Sequence, residues 1–278
     1  MQFDLVIQGQ HIGDSAIEAL ARLCKAARWR RLGPGAARLA GADRSAEIAA
    51  ACADLKLDRA FVPAQARLAD FGLVAMDMDS TLINIECIDE LADMKGIKSQ
   101  VAEITRSAMR GEIDFAESLT RRTGLLAGLN ESALDRVWNE RLQLSQGAER
   151  LIEGLKAQEI RTLLVSGGFT FFTERLKARL GLDYAFSSEP EITGGRLSGR
   201  IVGRIVDADG KAEAVRHVRE ALGLSPEQVI AIGDGANDLA MMAEAGVSIA
   251  YRAKPVVQEK ATYSFNHAGL DGLLNLYP

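Results

Sequence analysis

The chain has 278 residues, 47% of them hydrophobic and 26% charged, with a net charge of −5. That composition fits a globular protein of one large or two modest domains. The acidic balance and the absence of a dense Lys/Arg run exclude nucleic acid as the main partner, and no stretch approaches the ~20 apolar residues of a membrane helix. Cys24, Cys52 and Cys87 are widely spaced without a Cys-x-x-Cys pair, so they read as reduced thiols. The first residues, Met-Gln-Phe-Asp-Leu, carry neither a basic stretch nor a long apolar segment, so the expectation is a cytoplasmic protein without a signal peptide.

In chain order, residues 3–8 read as a strand and 14–28 as a helix. Leu32-Gly-Pro-Gly-Ala reads as a turn, 36–40 as a second strand, Ser45 as the N-cap of a helix through Leu55, and 60–63 as a third strand. This β-α-β-α-β pattern carries 10 Lys+Arg against 8 Asp+Glu over residues 1–70, whereas the remainder carries 23 against 30. The change of sign supports a boundary near residue 68. Residues 71–76 (Phe-Gly-Leu-Val-Ala-Met) form a continuous apolar run, as a strand buried on both faces requires. Residues 86–145 show only helical segments, at 86–95, 98–110, 114–126 and 131–143. Thereafter strands (161–165, 184–187, 229–232, 247–250) alternate with helices (148–158, 170–180, 211–222, 237–245), and Gly194-Gly195 splits 192–206 into a hairpin. The expected fold is α/β: a doubly wound, Rossmann-like parallel sheet with a helical cap inserted after the first core strand, plus a small N-terminal α+β domain. The expected boundaries are 1–68 for the N-terminal domain, 69–85 and 146–278 for the catalytic core, and 86–145 for the cap.

Three strand ends carry reactive groups. Asp77 and Asp79 follow the first apolar run two residues apart, so an extended chain points both the same way. Such a pair divides labour: one carboxylate attacks or holds a metal, and the other carries a proton. Ser166-Gly167-Gly168 follows Leu163-Leu164-Val165 and offers a hydroxyl and exposed N–H groups to an anion. Gly233-Asp234-Gly-Ala-Asn237-Asp238 follows Val229–Ile232, and its oxygens, without a nearby His or Cys, suit Mg²⁺. Lys211 opens a helix between the second and third clusters, where an anion needs a counter-charge.

This order resembles the haloacid-dehalogenase-like superfamily: Asp77-Met-Asp79-Ser-Thr, then Ser166, then Lys211, then Gly233-Asp234-Gly-Ala-Asn-Asp238. A closer resemblance, to the phosphoserine phosphatase family, is carried by Asp77-Met-Asp-Ser-Thr-Leu-Ile-Asn-Ile-Glu86-Cys-Ile-Asp-Glu, Phe115-Ala-Glu-Ser-Leu-Thr-Arg-Arg122, Val165-Ser-Gly-Gly-Phe and Ala253-Lys-Pro255. The resemblance implies Asp77 as nucleophile and Asp79 as general acid and base. It implies a Mg²⁺ site built from Asp77, Asp79 (through its backbone carbonyl), Asp234 and Asp238. Phosphate contacts fall to Ser166, Gly167, Lys211 and Asn237. In the cap, Glu86 would take a substrate ammonium, Arg122 its carboxylate, and Phe115 would cover it. Phe115 and Arg122 are seven apart and share a helix face. Phosphoserine is the implied substrate, and serine biosynthesis the implied setting. A different phosphomonoester, or transfer to another hydroxyl, fits Asp77 and Asp79 equally well. A retired enzyme serving only for binding would be expected to have lost an acid or the lysine, and none is lost. The N-terminal pattern is similar to a shortened ACT-like domain, for which homodimerisation and L-serine sensing are the two roles left open.

Overall fold

Asp77 ends the middle strand of a seven-stranded sheet, and the chain wraps outward from it in both directions. The computed structural model describes residues 2–277. Its elements are β1 (Phe3–Gln8), α1 (Asp14–Leu23), β2 (Arg28–Gly33), β3 (Ala36–Ala40), α2 (Ala46–Asp54) and β4 (Asp58–Pro63), followed by β5 (Leu73–Asp77). Four helices come next: α3 (Cys87–Met94), α4 (Lys98–Met109), α5 (Phe115–Leu125) and α6 (Ser132–Glu140). Then follow α7 (Ala148–Ala157), β6 (Arg161–Phe169), α8 (Thr170–Leu180), β7 (Tyr184–Thr193), β8 (Arg196–Val202) and α9 (Ala208–Ala221). The chain finishes with β9 (Val229–Gly233), α10 (Leu239–Ala243), β10 (Val247–Tyr251), α11 (Pro255–Lys260), β11 (Tyr263–Phe265) and α12 (Leu273–Leu276).

The large sheet runs β11-β10-β9-β5-β6-β7-β8, parallel throughout except for the β7/β8 hairpin. From β5 the chain builds β6, β7 and β8 on one side, then crosses to build β9, β10 and β11 on the other. The switch point therefore lies at the carboxyl end of β5, where open α/β sheets bind ligands. Alternate residues of β5 feed two cores. Val74 and Met76 pack on one face, Leu73 and Ala75 on the other, and all four are fully buried. This is why the run is apolar at every position rather than at every second one.

The helices α3–α6 are inserted directly after β5. Their two connections run side by side: Ile83 bridges Leu144, Asn84 N–H donates to Gln143 O, and Ser145 N–H donates to Leu82 O. The insertion is thus tied to the carboxyl edge of the sheet by a two-stranded ribbon. The β7/β8 hairpin, turned by Gly194 and Gly195 at positive φ, reaches up to it, and Gly128 N–H donates to Leu197 O.

The structure corrects three sequence expectations. Helix α1 ends at Leu23 rather than near 28, because Lys25 takes a left-handed backbone and Arg28–Gly33 pairs with β3 as an added strand. With β2 present, the N-terminal pattern is a complete β-α-β-β-α-β unit with order β2-β3-β1-β4, not a shortened one. The strand expected over 161–165 does not stop before Ser166-Gly167-Gly168: these residues are the extended end of β6, which bulges against β7 between Val165 and Phe169. One further edge strand, β11, pairs parallel with β10 and had no counterpart in the sequence reading.

The N-terminal sheet is fastened to the end of the chain. Buried Asp58 accepts hydrogen bonds from the N–H groups of Asn266, His267 and Ala268 at 2.7, 3.0 and 2.8 Å. Buried Arg38 donates to Leu276 O and pairs with Asp4, and Gln8 accepts from Asn275.

Candidate active site

Four strand ends and the inserted helices enclose a cavity of about 510 Å³, lined by Asp77, Asp79, Ser166, Gly167, Lys211, Asp234 and Asn237 below and by Glu86, Phe115 and Arg122 above. Every residue singled out from the sequence therefore reaches this cavity except Asp238, which sits immediately behind it.

Each floor residue is placed by its local sequence. Asp77 is the last residue of β5, and its register partner on β6 is Val165, the residue before Ser166. The two clusters are thus adjacent by strand pairing alone. Lys211 is brought in by helix α9, whose N-cap Asp207 accepts from Gly210 N–H at 2.8 Å. One turn later the Lys211 ammonium, 1% exposed, donates to Asp77 Oδ1 at 2.5 Å and to Asp238 Oδ1 at 2.6 Å. Asp238 uses its other oxygen to accept from the N–H groups of Asp234 and Gly235 at 3.1 and 3.0 Å. A Cβ on Gly233 would lie 2.4 Å from that oxygen, so only glycine lets the Asp238 carboxylate tuck under the strand end. Asp234 is steadied from the other side by Thr81, whose Oγ1 donates to it at 3.2 Å.

Asp79 points differently from Asp77. Its Oδ1 accepts from Cys87 N–H, at the first turn of α3, at 2.9 Å, and its Oδ2 lies 3.5 Å from Ser166 Oγ. Its side chain is therefore not part of the acidic cluster; among the described residues that cluster is Asp77, Asp234 and Asp238, whose oxygens lie within 4.8 Å of one another. Ser166 Oγ also accepts from Gly168 N–H at 2.9 Å, which fixes the hydroxyl at the strand end.

The electrostatics follow from crowding. Burial, together with the charges of Asp238 and Glu86, pushes Asp234 up to about 7. Burial and the charge of Glu86 likewise push Asp79 up to about 7. Burial raises Asp77 well above the usual carboxylate range, with Lys211 pulling the other way. Burial alone would lower the Lys211 ammonium, but Asp238 and Asp77 outweigh it and keep it protonated. One ammonium cannot balance this many carboxylates, and a hard divalent cation would supply what is missing. The donors fit one: three carboxylates and no His or Cys.

The roof is chemically different. Arg122 makes no hydrogen bond or ion pair to any described residue, and its Nε is buried without an acceptor. Burial lowers its pKa, against the nearby charges of Asp89 and Glu86. Phe115 lies over Gly167, where an added Cβ would come within 2.6 Å of its ring. Glu86 accepts from Ser80 Oγ at 2.7 Å. Sequence reasoning missed Asp89 and Lys254, which also line the cavity. Asp89 lies three residues after Glu86, one helical turn on, a spacing that could have flagged it. Lys254 stands in the Ala253-Lys-Pro255 stretch that carries the family resemblance, but nothing in its spacing gave it a role at the cavity.

A carboxylate at the end of the central strand, a buried lysine paired with it and an inserted helical roof over one cavity point to a hydrolase class. Residues 71–246 match the haloacid dehalogenase-like hydrolase family, and the chain belongs to it. Within that family it is 53% identical over 215 residues to a phosphoserine phosphatase from Polaromonas sp., a match covering 76% of this chain and 91% of that one. Among solved structures, a probable phosphoserine phosphatase from Vibrio cholerae in unliganded form superposes with a TM-score of 0.86 at 35% identity, covering 99% of this chain and 86% of that one. A phospho-aspartyl intermediate analogue of phosphoserine phosphatase superposes with a TM-score of 0.70 at 36% identity, covering 75% of this chain and 99% of that one. Residues 5–48 match a domain of unknown function. No helix among the described residues is long and apolar enough to cross a membrane.

Proposed function

We propose that this enzyme hydrolyses O-phospho-L-serine to L-serine and phosphate through an aspartyl-phosphate on Asp77. The observation that carries the reading is the opposition across one cavity of a nucleophile–lysine pair on the floor and an unpartnered Arg122 beside Glu86 on the roof. A zwitterionic phosphoester matches that division. Its phosphate is anionic at one end, and its ammonium and carboxylate complement Glu86 and Arg122 at the other.

In the first step an Asp77 oxygen attacks phosphorus and the bond from phosphorus to the serine oxygen breaks. Asp79 gives its proton to the departing oxygen. That requires a protonated Asp79 at the start, consistent with its value of about 7. In the second step Asp79, now ionised, takes a proton from water as the water attacks phosphorus, and the bond to Asp77 breaks. Lys211 and the Ser166 hydroxyl, with the Gly167 N–H, hold the phosphoryl oxygens, and Asn237 stands at the rim of the same floor. Mg²⁺, held by Asp77, Asp234 and the Asp79 carbonyl with Asp238 supporting from behind, would offset the repulsion between carboxylate and phosphate. Residues 86–145 act as a cap that excludes bulk water on the 69–85 and 146–278 core, and Phe115 closes over the substrate. Residues 1–68 form a separate ACT-like module, with L-serine as a candidate effector and a second copy of the chain as a candidate partner.

The test is Mg²⁺-dependent phosphate release from L-phosphoserine, D-phosphoserine, phosphothreonine, phosphoethanolamine, glycerol phosphate and a sugar phosphate. Strong preference for phosphoserine is expected. Equal turnover of esters lacking the amino acid end would keep the phosphatase chemistry and remove the roles given to Glu86 and Arg122.

A further inference from the structure

Ser80 stands where the nucleophile loop meets the start of the helical insertion, and its backbone is left-handed, with φ +57°. That conformation is disfavoured for any residue with a Cβ, so something must hold it. Two hydrogen bonds do: Ser80 N–H donates to Ile85 O at 3.2 Å, and Ser80 Oγ donates to Glu86 Oε1 at 2.7 Å. Glu86 is exposed and has no other side-chain hydrogen bond or ion pair to a described residue. A free glutamate at the mouth of a cavity would sample many rotamers and lose entropy on engaging a ligand. The hydroxyl at 80 removes that freedom in advance. Glycine, the residue that relieves a left-handed backbone, would not supply it.

We propose that Ser80 is a positioning residue that sets ammonium selectivity: it holds Glu86 in the rotamer that meets the substrate amine. This rests on the reading of Glu86 as the ammonium partner. The neighbouring contact, Cys87 N–H to Asp79, orients the catalytic acid instead, so the two consecutive residues 79 and 80 are tied to 87 and 86 for different purposes.

The experiment compares kcat and KM for L-phosphoserine and for both enantiomers of 3-phosphoglycerate, which replaces the ammonium by a hydroxyl and keeps the carboxylate and phosphate. Wild type should prefer phosphoserine. In Ser80→Ala the KM for phosphoserine should rise roughly three- to tenfold, the worth of one hydrogen bond. Its kcat and both constants for 3-phosphoglycerate should hold. Ser80→Gly, freed of backbone strain, should melt no lower than wild type yet lose the same discrimination. Equal losses on both substrates, or a fall confined to kcat, would mean that the loop merely supports Asp79 and would overturn the proposal. Unchanged discrimination in both variants would overturn it too. A wild type without preference for phosphoserine would instead refute the Glu86 reading on which the proposal stands.

Discussion

The Lys211 ammonium lies 2.5 Å from Asp77 Oδ1, joining residues that are 134 positions apart in the chain at the centre of the cavity floor. The pair is almost completely buried, and Asp238 shares the same cation. Replacing Lys211 by Ala would leave two buried carboxylates without their counter-charge. Loss of one partner from a buried ion pair costs about 3–5 kcal/mol, and loss of a preorganised charge on the phosphoryl oxygens costs about 10²–10³ in kcat. Lys211→Ala should therefore melt lower and turn over slowly even where folded, as thermal denaturation and steady-state phosphate release would show. Normal turnover in the folded fraction would remove Lys211 from the site chemistry.

The pH dependence of stability has a definite sign. Asp79 and Asp234 stand near 7 in the folded protein, against about 4 for an unfolded carboxyl. The folded state binds more protons between those values, so stability falls as pH rises through that window. Exposed carboxylates held low by arginines, such as Glu103 and Glu112, act oppositely, but only at more acidic pH. Metal-free protein should thus melt higher at pH 5.5 than at pH 7.5. Mg²⁺, which needs ionised ligands, should recover most of the loss at pH 7.5. Melting curves with chelator and with Mg²⁺ check both halves; a higher melting point at pH 7.5 in chelator would contradict the crowding of these carboxylates.

Gly167 leaves no room for a side chain. A Cβ there would meet Phe115 Cζ at 2.6 Å and Val206 O at 3.1 Å. The aromatic ring can swing away, but only by uncovering the cavity. Gly167→Ala should leave the fold intact and lower kcat/KM, by up to about a hundredfold if the reacting groups are displaced by about 1 Å. Kinetics alongside a melting curve separate this from simple unfolding, which would lower the melting point in proportion.

Where the N-terminal sheet meets the end of the chain, Asp58 receives the N–H groups of residues 266–268. Asp58→Ala should destabilise the protein by about 2–3 kcal/mol, because buried donors lose their acceptor. The folded enzyme should keep its kcat, since Asp58 does not line the catalytic cavity. Denaturant melts and activity below the transition measure the two effects independently.

Much of the site is legible in the sequence for a geometric reason. Asp77 and Asp234 follow apolar strands directly, and parallel strands deliver their carboxyl ends to one edge. A motif after each run is therefore a motif in one cavity. The unread parts lack a local signal. Strand β2, Arg-Trp-Arg-Arg-Leu-Gly, is a largely exposed edge without apolar alternation. Strand β11 has three residues, too few to show a period. The Asp58 clasp and the Arg38–Leu276 contact join residues more than 200 positions apart, and pairing at that range leaves no trace in spacing. Asp238 lies within its motif, yet only the close approach to Gly233 and the bond to Lys211 reveal that it works from behind the cavity.

The most direct test of the central claim is to mix the enzyme with Mg²⁺ and L-phosphoserine, quench in acid within one turnover, and map the phosphorylated peptide. A hydroxylamine-labile phosphate on the peptide containing Asp77, absent in Asp77→Asn, is the predicted result. Turnover of phosphoserine with no label on Asp77 at any quench time, and with solvent oxygen entering phosphate in a single step, would contradict it.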